Sequence, residues 1–174
     1  MTQPSQSDRN DFKRFIKLLH PDARHEVMEV MGQLRSVSHY MNQRGEASLA
    51  ASGLSYAQYR VLSHLLYNEL IDGQSGMNPS VISKRHGTNR NTVSALVRSL
   101  EKSALVKREL DEQDRRKFNI CLTDAGRELV YKHSREHFQA IDAMFSVLDE
   151  QDIVDFGRIL HKLNQRVCQP KELN

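Results

Sequence analysis

The sequence contains little cysteine, proline or glycine, and no tryptophan. Its 174 residues include two cysteines, four prolines and eight glycines. Two thiols cannot form the disulfide framework of a small secreted protein, and so few prolines and glycines argue against a fibrous or disordered chain. The length corresponds to about one domain. We therefore expect a globular protein of the reducing cytoplasm.

Long apolar runs and enzyme motifs are missing as well. No stretch approaches the roughly 20 apolar residues of a membrane-spanning helix. Residues 1–10 are polar, so we expect a disordered tail there and no signal peptide. There is no phosphate-binding loop and no G-x-S-x-G motif, and His25-Glu26 begins an H-E-x-x-H zinc motif that Glu29 leaves incomplete. These absences predict a protein that is not an enzyme and has no cofactor.

The charge is small in total but unevenly distributed. The chain has 25 basic and 22 acidic residues, a net charge of +3. Residues 80–127 hold eleven of the bases and six of the acids, so this segment is +5 and the rest of the chain is −2. A basic middle third indicates a surface that meets an anion, although a solvated face rich in lysine and arginine has the same composition.

Helical periodicity accounts for both ends of the chain. Apolar residues between 22 and 44 recur at helical spacing, and Gly45 is placed to cap that helix at its C-terminus. Thr123 and Asp149 precede two further runs of the same kind. These helices carry more apolar surface than a small domain can bury. Burial against a second copy of the chain is therefore favoured, with packing inside one chain as the alternative.

The centre of the sequence begins with two helix starts and a loop between them. Ser55 and Gln58 form a capping box that opens the first helix. Residues 72–77 (DGQSGM) have the composition of a loop. Asn78-Pro79 then starts a second helix, because asparagine caps well and proline suits the first helical position.

A glycine turn leads into a helix with two different faces. Gly87 ends the second helix, and Thr88 or Asn89 caps the next. Over residues 90–100 the apolar side chains share one face, whereas arginine, asparagine and serine share the other. This order of elements is a helix-turn-helix. The major groove of DNA, about 12 Å wide, admits such a helix with its polar face toward the bases.

After this helix the periodicity becomes that of strands. Residues 105–110 are predicted as one strand and 118–122 as a second, half-buried strand, joined by a charged turn. Arg115, Arg116 and Lys117 give this hairpin a basic tip, which suits a minor groove or the flanking phosphates.

These stretches resemble the MarR family of winged helix-turn-helix transcriptional regulators. The matching residues are SVISKRHGTNRNTVSALVRSLEKSALVKREL (80–110) and DEQDRRKFNICLTDAGREL (111–129), preceded by LSYAQYRVLSHL (54–65). Two positions depart from the family pattern. Ala104 stands where the family commonly has glycine, and His86 where it usually has a small or apolar residue.

The resemblance implies a mainly helical α+β fold. A winged helix-turn-helix domain at 54–126 would lie between dimerisation helices at 11–53 and 127–174. It also implies a cytoplasmic, nucleoid-associated homodimer that binds double-stranded DNA at a pseudo-palindromic operator, most often as a repressor. A small-molecule effector would release the DNA by changing the spacing of the two reading helices.

Residues expected to contact DNA fall into three groups. The wing uses an acid to orient its neighbouring arginine, and Asp114 is the residue that the resemblance assigns to this role. The groups are Arg90, Asn91, Thr92, Ser94 and Arg98 on the reading helix, Asp114, Arg115, Arg116 and Lys117 on the wing, and Asn78, Ser80 and Thr88 against the DNA backbone.

The effector site is not assigned by the sequence. His39, Tyr40 and Tyr59 fall near the region that the family uses for effectors, but core packing explains them equally well. A DNA-binding architectural protein without sequence preference is an alternative for the whole chain.

Two further alternatives keep the fold but have the regulator respond to a metal ion or to thiol oxidation. His133 and His137 have a spacing that suits zinc. No metal is expected, because Arg60 stands where the zinc-responsive branch of the family places a ligand. A thiol-responsive regulator would use Cys121 or Cys168, but neither lies in the N-terminal helix, where the peroxide-sensing branch keeps its cysteine.

Overall fold

A computed structural model describes residues 6–111 and 116–168 of the chain. No helix in these residues is long and apolar enough to cross a membrane. The chain divides after Ala47 into two compact units, each of which is described by itself. The elements are α1 (Gln6–Leu19), α2 (His25–Ser48), α3 (Tyr56–Leu70), β1 (Gly76–Met77), α4 (Pro79–His86), α5 (Arg90–Lys102), β2 (Val106–Leu110), β3 (Phe118–Leu122), α6 (Asp124–Phe145) and α7 (Glu150–Cys168), with a short 3-10 turn at Ala50–Ser52.

The first unit is built from α1 and α2. The two helices are joined by an ion pair between Lys13 Nζ and Glu29 Oε2, 3.7 Å apart. Helix α1 starts at Gln6, so the disordered tail predicted for residues 1–10 is wrong from Gln6 onward. The prediction for the first five residues falls outside the described part of the chain.

Gly45 does not end helix α2, in contrast to the expectation from the sequence. The helix runs on to Ser48, and Gly45 is buried inside it. A glycine costs about 1 kcal/mol relative to alanine in a helix interior, which is too little to stop a helix whose next residues, Glu46 and Ala47, favour helical structure.

The helices of the second unit begin where the sequence predicts their caps. Ser55 and Gln58 form the reciprocal capping box of α3. Asn78 Oδ1 accepts from the N–H groups of the first turn of α4, and Thr123 Oγ1 accepts from the Gly126 N–H at the start of α6. Of the two candidates for α5, Asn89 is the cap: its Oδ1 accepts from Thr92 N at 2.9 Å.

The sheet has three antiparallel strands in the order β1-β3-β2. The predicted hairpin is present as β2 and β3, with Val106 opposite Leu122 and Leu110 opposite Phe118. The third strand is a correction, because the sequence predicts only a loop for residues 72–77. Gly76 and Met77 pair with Cys121 and Ile120 of β3. Two residues are too short a strand to produce a detectable alternation.

The core lies between α3, α4, α5 and the sheet. Leucine, isoleucine and valine side chains from these elements are almost entirely buried, and the cluster extends to Val130 on α6. Gly126 brings α6 against the wing, because a Cβ at this position would collide with the carbonyl oxygen of Leu105. No residue of α7 belongs to this described core.

Candidate nucleic-acid interface

Helix α5 has one buried face and one exposed face. Val93, Val97 and Leu100 are 0 to 2 % exposed and anchor the helix in the core. Such burial stabilises each side chain by about 1.5–3 kcal/mol, so the helix is held firmly by its apolar side. The residues predicted to read DNA are all exposed: Arg90, Asn91, Thr92, Ser94 and Arg98.

Four of these five side chains project in similar directions. At 3.6 residues per turn, Arg90, Ser94, Arg98 and Asn91 fall within an arc of about 100°. Thr92 is about 200° from Arg90. Its hydroxyl lies 3.1 Å from Asn89 Oδ1, so it belongs to the helix cap. The exposed arc therefore combines donors and acceptors suited to base edges with two cations suited to phosphates.

The turn before α5 sets the direction of that helix. Gly87 has a φ of +69°, a conformation that suits glycine, and its N–H points at the carbonyls of Ser83 and Lys84. Thr88 completes the turn: its N–H donates to Ser83 O at 3.2 Å, and its carbonyl accepts from Ser83 Oγ at 2.5 Å. The backbone of Thr88 thus has a structural role beside the DNA contact predicted for its side chain.

The other predicted backbone contacts lie at the start of α4. Asn78 Oδ1 accepts from Ser80 N and Val81 N, both at 3.0 Å. Asn78 is half-buried and Ser80 is exposed. The first turn of α4 is therefore capped by Asn78, and Ser80 is accessible to a phosphate.

The base of the wing is ordered by polar contacts. Asp111 N donates to Lys117 O at 3.0 Å, and Asn119 Nδ2 donates to Asp111 Oδ2 at 2.9 Å. Arg116 and Lys117 lie next to these hydrogen bonds and are exposed. Asp114 and Arg115 lie outside the described residues, so their roles stay predictions.

Several cations of the basic segment are already paired. Arg85 binds Asp72, Lys107 binds Glu109, and Arg108 and Arg127 bind Glu101 and Glu69. Within residues 80–111 and 116–127, the cations without such a partner lie on α4 and α5. They are Lys84, Arg90, Arg98 and Lys102.

Comparison with known proteins finds transcriptional regulators of similar sequence. A sequence model of the MarR family matches residues 52–117, from the turn before α3 into the wing. The HTH-type transcriptional repressor YetL of Bacillus subtilis is 26% identical over 145 residues, which cover 83% of this chain and 84% of that protein. The HTH-type transcriptional regulator PecS of Dickeya dadantii is 25% identical over 147 residues, 84% of this chain and 87% of its own.

Solved structures agree with the sequence relatives. The MepR–DNA complex of S. aureus superposes with a TM-score of 0.70 at 27% identity and covers 78% of this chain and 94% of that one. Over residues 52–117 the chain thus has the sequence of a MarR-family domain. AbsC of Streptomyces coelicolor, at 22% identity, shares the fold with a TM-score of 0.72, over 83% of this chain and 95% of its own. The described residues thus have a winged helix-turn-helix fold like that of MarR-family transcriptional regulators, one of which was solved in complex with DNA.

One brace of this MarR-family domain was not predicted from the sequence. Asn68 on α3 is 2 % exposed, and its Nδ2 donates to Gln74 O at 2.9 Å and to Gly76 O at 3.2 Å. It therefore holds the 72–77 segment against the sheet. A signal was present, because Asn68 follows Leu65 by three residues and so occupies a core-facing position of the helix.

Two histidine rings pack against each other between α3 and α4. His64 on α3 and His86 on α4 pack edge to face, with their ring centroids 6.1 Å apart. Burial lowers the pKa of both, and the positive charge of Arg60 lowers both further. The atypical residue at His86 thus forms part of the contact between α3 and α4, as a neutral ring.

The residues considered for sensing lie in different settings. His137 packs on Tyr56 and Tyr59, with ring centroids 5.5 and 5.2 Å away, and burial lowers its pKa. Tyr59 is 2 % exposed. His133 is buried, with Nδ1 3.8 Å from Glu136 Oε2. In residues 6–111 and 116–168, no three potential metal ligands gather.

The remaining effector and thiol candidates are placed as follows. His39 and Tyr40 are neighbours on α2, with their rings 5.6 Å apart. Cys121 is buried between β1 and β2, and its Sγ donates to Glu109 Oε2 at 3.3 Å. Burial and the adjacent Glu109 raise the pKa of this thiol to about 11. A thiol held protonated is a poor nucleophile.

Proposed function

We propose that this MarR-family regulator binds a pseudo-palindromic operator as a homodimer, represses transcription, and is released by a small-molecule effector. The observation that carries the DNA-binding part is the two-faced helix α5. Its apolar face is buried in the core, while Arg90, Asn91, Ser94 and Arg98 are exposed on one arc. Double-stranded DNA in the cytoplasm is the partner that this polar arc fits.

The charge distribution supports the same partner. Arg90 and Arg98 have no acidic partner within the described chain, so their charge is available to phosphates or to guanine edges. The S. aureus MepR protein, 27% identical over the shared fold, has been solved in complex with DNA.

Sequence-specific binding is tested by selection from a random duplex pool followed by competition with unrelated DNA. We expect one palindromic sequence to be enriched and to resist competition. Arg90→Ala and Asn91→Ala should each cost about 1–3 kcal/mol of specific affinity and relax the preference at one base pair. Arg135→Ala, at an exposed arginine of α6, is the matched control. Equal binding to all duplexes would instead identify an architectural protein.

The apolar surface of α7 supports the homodimer. Ile153, Phe156, Ile159 and Leu163 recur at helical spacing and are 37 to 49 % exposed. Helices α1 and α2 also expose apolar side chains, which are Phe15, Leu18, Leu19, Val30, Met31 and Val37. Contiguous exposed apolar faces mark interaction sites. A second copy of the chain presents the same faces, which satisfies the symmetry of a two-fold dimer.

Light scattering of the purified protein tests the dimer. We expect the mass of two chains for the wild type and for Lys162→Asp, a change on the polar side of α7. Leu163→Asp should shift the mass toward one chain and weaken operator binding, with the helical circular dichroism retained. A wild type that remains monomeric at micromolar concentration would refute the homodimer.

Repression and effector release complete the proposal. The relative YetL is named a transcriptional repressor. A reporter gene placed behind the selected operator should be silent with the wild type and active with Arg98→Ala. A screen of small molecules for release of the labelled operator would identify the effector. Substitution of Tyr59 or of His39 then tests which unit binds it.

A further inference from the structure

An arginine of the wing forms a bidentate ion pair with a glutamate at the end of α5. Arg108 on β2 donates from Nε to Glu101 Oε1 at 2.7 Å and from Nη2 to Glu101 Oε2 at 3.0 Å. Both carboxylate oxygens are therefore bound by one guanidinium, which is the most directional form of an ion pair. Because Glu101 belongs to α5, this pair ties the helix to the wing.

A residue of the next strand, Phe118, also contacts this guanidinium. Arg108 Cζ lies 4.7 Å from the centroid of the Phe118 ring, within the range of a cation–π contact. Phe118 begins β3 and is two residues from Arg116, about 7 Å along the chain. The contact thus lies next to the basic residues of the wing.

Glu101 is half-buried and falls within the same angular arc of α5 as the exposed polar residues. It follows Arg98 by three residues and Ser94 by seven, so these three side chains project from nearly the same side of the helix. A bare carboxylate at this place would repel a DNA phosphate. Arg108 neutralises it, and the charge of Arg108 is thereby engaged before DNA arrives.

We propose that Glu101, Arg108 and Phe118 form a clamp that sets the position of the wing relative to α5, so that both elements reach the same duplex. Arg108 is then a positioning residue that acts through the wing rather than a DNA contact. The clamp rests on the proposed DNA-binding function. It predicts that loss of Arg108 removes the contribution of Arg116 without any change at Arg116 itself.

Epistasis between Arg108→Ala and Arg116→Ala tests the clamp. The probe is a labelled duplex selected by the wild-type protein, and the readout is its dissociation constant by fluorescence anisotropy. We expect each single variant to bind about tenfold more weakly, and Arg116→Ala to add less than about twofold in the Arg108→Ala background. Circular dichroism and thermal melting confirm that every variant is folded.

A second variant separates positioning from direct contact. Glu101→Ala should weaken binding, because it opens the clamp. If Arg108 instead contacts phosphate directly, Glu101→Ala frees it, removes a repulsive charge and tightens binding. Arg127→Ala is the matched control, since Arg127 grips Glu69 in the same two-pronged way, at 2.8 and 3.0 Å, but joins α6 to α3. In that background Arg116→Ala should keep its full effect.

The outcomes distinguish this inference from the proposed function. A wild-type protein that binds no duplex at about 50 mM salt, where phosphate contacts are strong, refutes the proposed function. A wild type that binds, with Arg108→Ala and Arg116→Ala multiplying to about a hundredfold loss, refutes only the clamp. Tighter binding by Glu101→Ala, or no effect of Arg116→Ala, also overturns it.

Discussion

Ala104 shows how one residue can carry strain inside an otherwise ordinary helix end. Its φ is +55°, a left-handed conformation that costs a residue with a Cβ. The position is required by the end of α5, where Ala104 N donates to Glu101 O at 2.9 Å and Leu105 N donates to Leu100 O at 3.0 Å. This pairing is the Schellman motif, which usually places glycine at this site.

Ala104→Gly should therefore stabilise the protein by about 1 kcal/mol. Urea unfolding followed by circular dichroism measures the change. Ala95→Gly, in the exposed interior of the same helix, is the control and should destabilise by about 1 kcal/mol. Equal losses of stability from both substitutions would show that Ala104 is not strained.

Cys121 is predicted to be inert in the folded protein. With a pKa of about 11, roughly one thiol in ten thousand is ionised at neutral pH. In a Cys168→Ala background, a disulfide reagent should react slowly with the folded protein and rapidly once urea unfolds it. Rapid reaction before unfolding would revive the thiol-sensing alternative.

At the scale of elements, the caps were predictable and the shortest strand was not. Ser55, Asn78 and Thr123 are identifiable as caps because a cap bonds to residues within three positions of itself. Strand β1 depends instead on Cys121, which is distant in sequence. A side chain at Gly76 would come within 2.6 Å of Cys121 Sγ, so only glycine lets the strand approach. No local pattern contains that information.

The contact between α3 and α4 should weaken in acid. Burial and Arg60 lower the pKa of His64 and His86 below the ordinary value of 6.5. As the pH falls below 6.5, the unfolded chain binds protons that the folded protein resists. The contribution of the two neutral histidines to the free energy of unfolding is therefore complete above pH 6.5. It is lost as the pH falls from 6.5 toward their lowered pKa values.

His86→Phe tests that pH dependence, because it keeps a ring beside His64 but cannot be protonated. The drop in urea midpoint from about pH 7.5 to about pH 5.5 should be smaller in this variant than in the wild type. His137, whose pKa burial also lowers, contributes equally to both. His20→Phe, at an exposed loop histidine, should leave the wild-type drop unchanged. Equal drops in wild type and His86→Phe would contradict the prediction.

At the scale of the whole molecule, the small net charge is the sum of a basic segment and a slightly acidic remainder. The basic segment 80–127 is +5, and the rest of the chain is −2. Ion pairs such as Arg127–Glu69 consume part of this excess, so the number of cations available to DNA is smaller than the sequence count. The salt dependence of binding measures that number directly.

Arg116→Ala should lower the slope of log affinity against log salt by about one unit, because one DNA phosphate would then keep its counterion when the protein binds. Titrations of the selected duplex at several salt concentrations give the slope. Arg85→Ala is the control, because Arg85 already binds Asp72 at 2.7 Å and should leave the slope unchanged. An unaltered slope for Arg116→Ala would remove the wing from the interface.

The sequence by itself determined the helices from α3 onward, the wing hairpin, their order and the exposed polar face of α5, whereas it missed the start of α1 and the end of α2. These features follow from periodicity and from capping residues, which act over a few positions. Only the tertiary structure decided which charges are free, that Asn68 braces Gly76, that Cys121 is buried, and that Glu101 meets Arg108. Those properties depend on which distant segments pack together. Packing brings residues into contact that are far apart in the chain, and no local sequence pattern predicts such contacts.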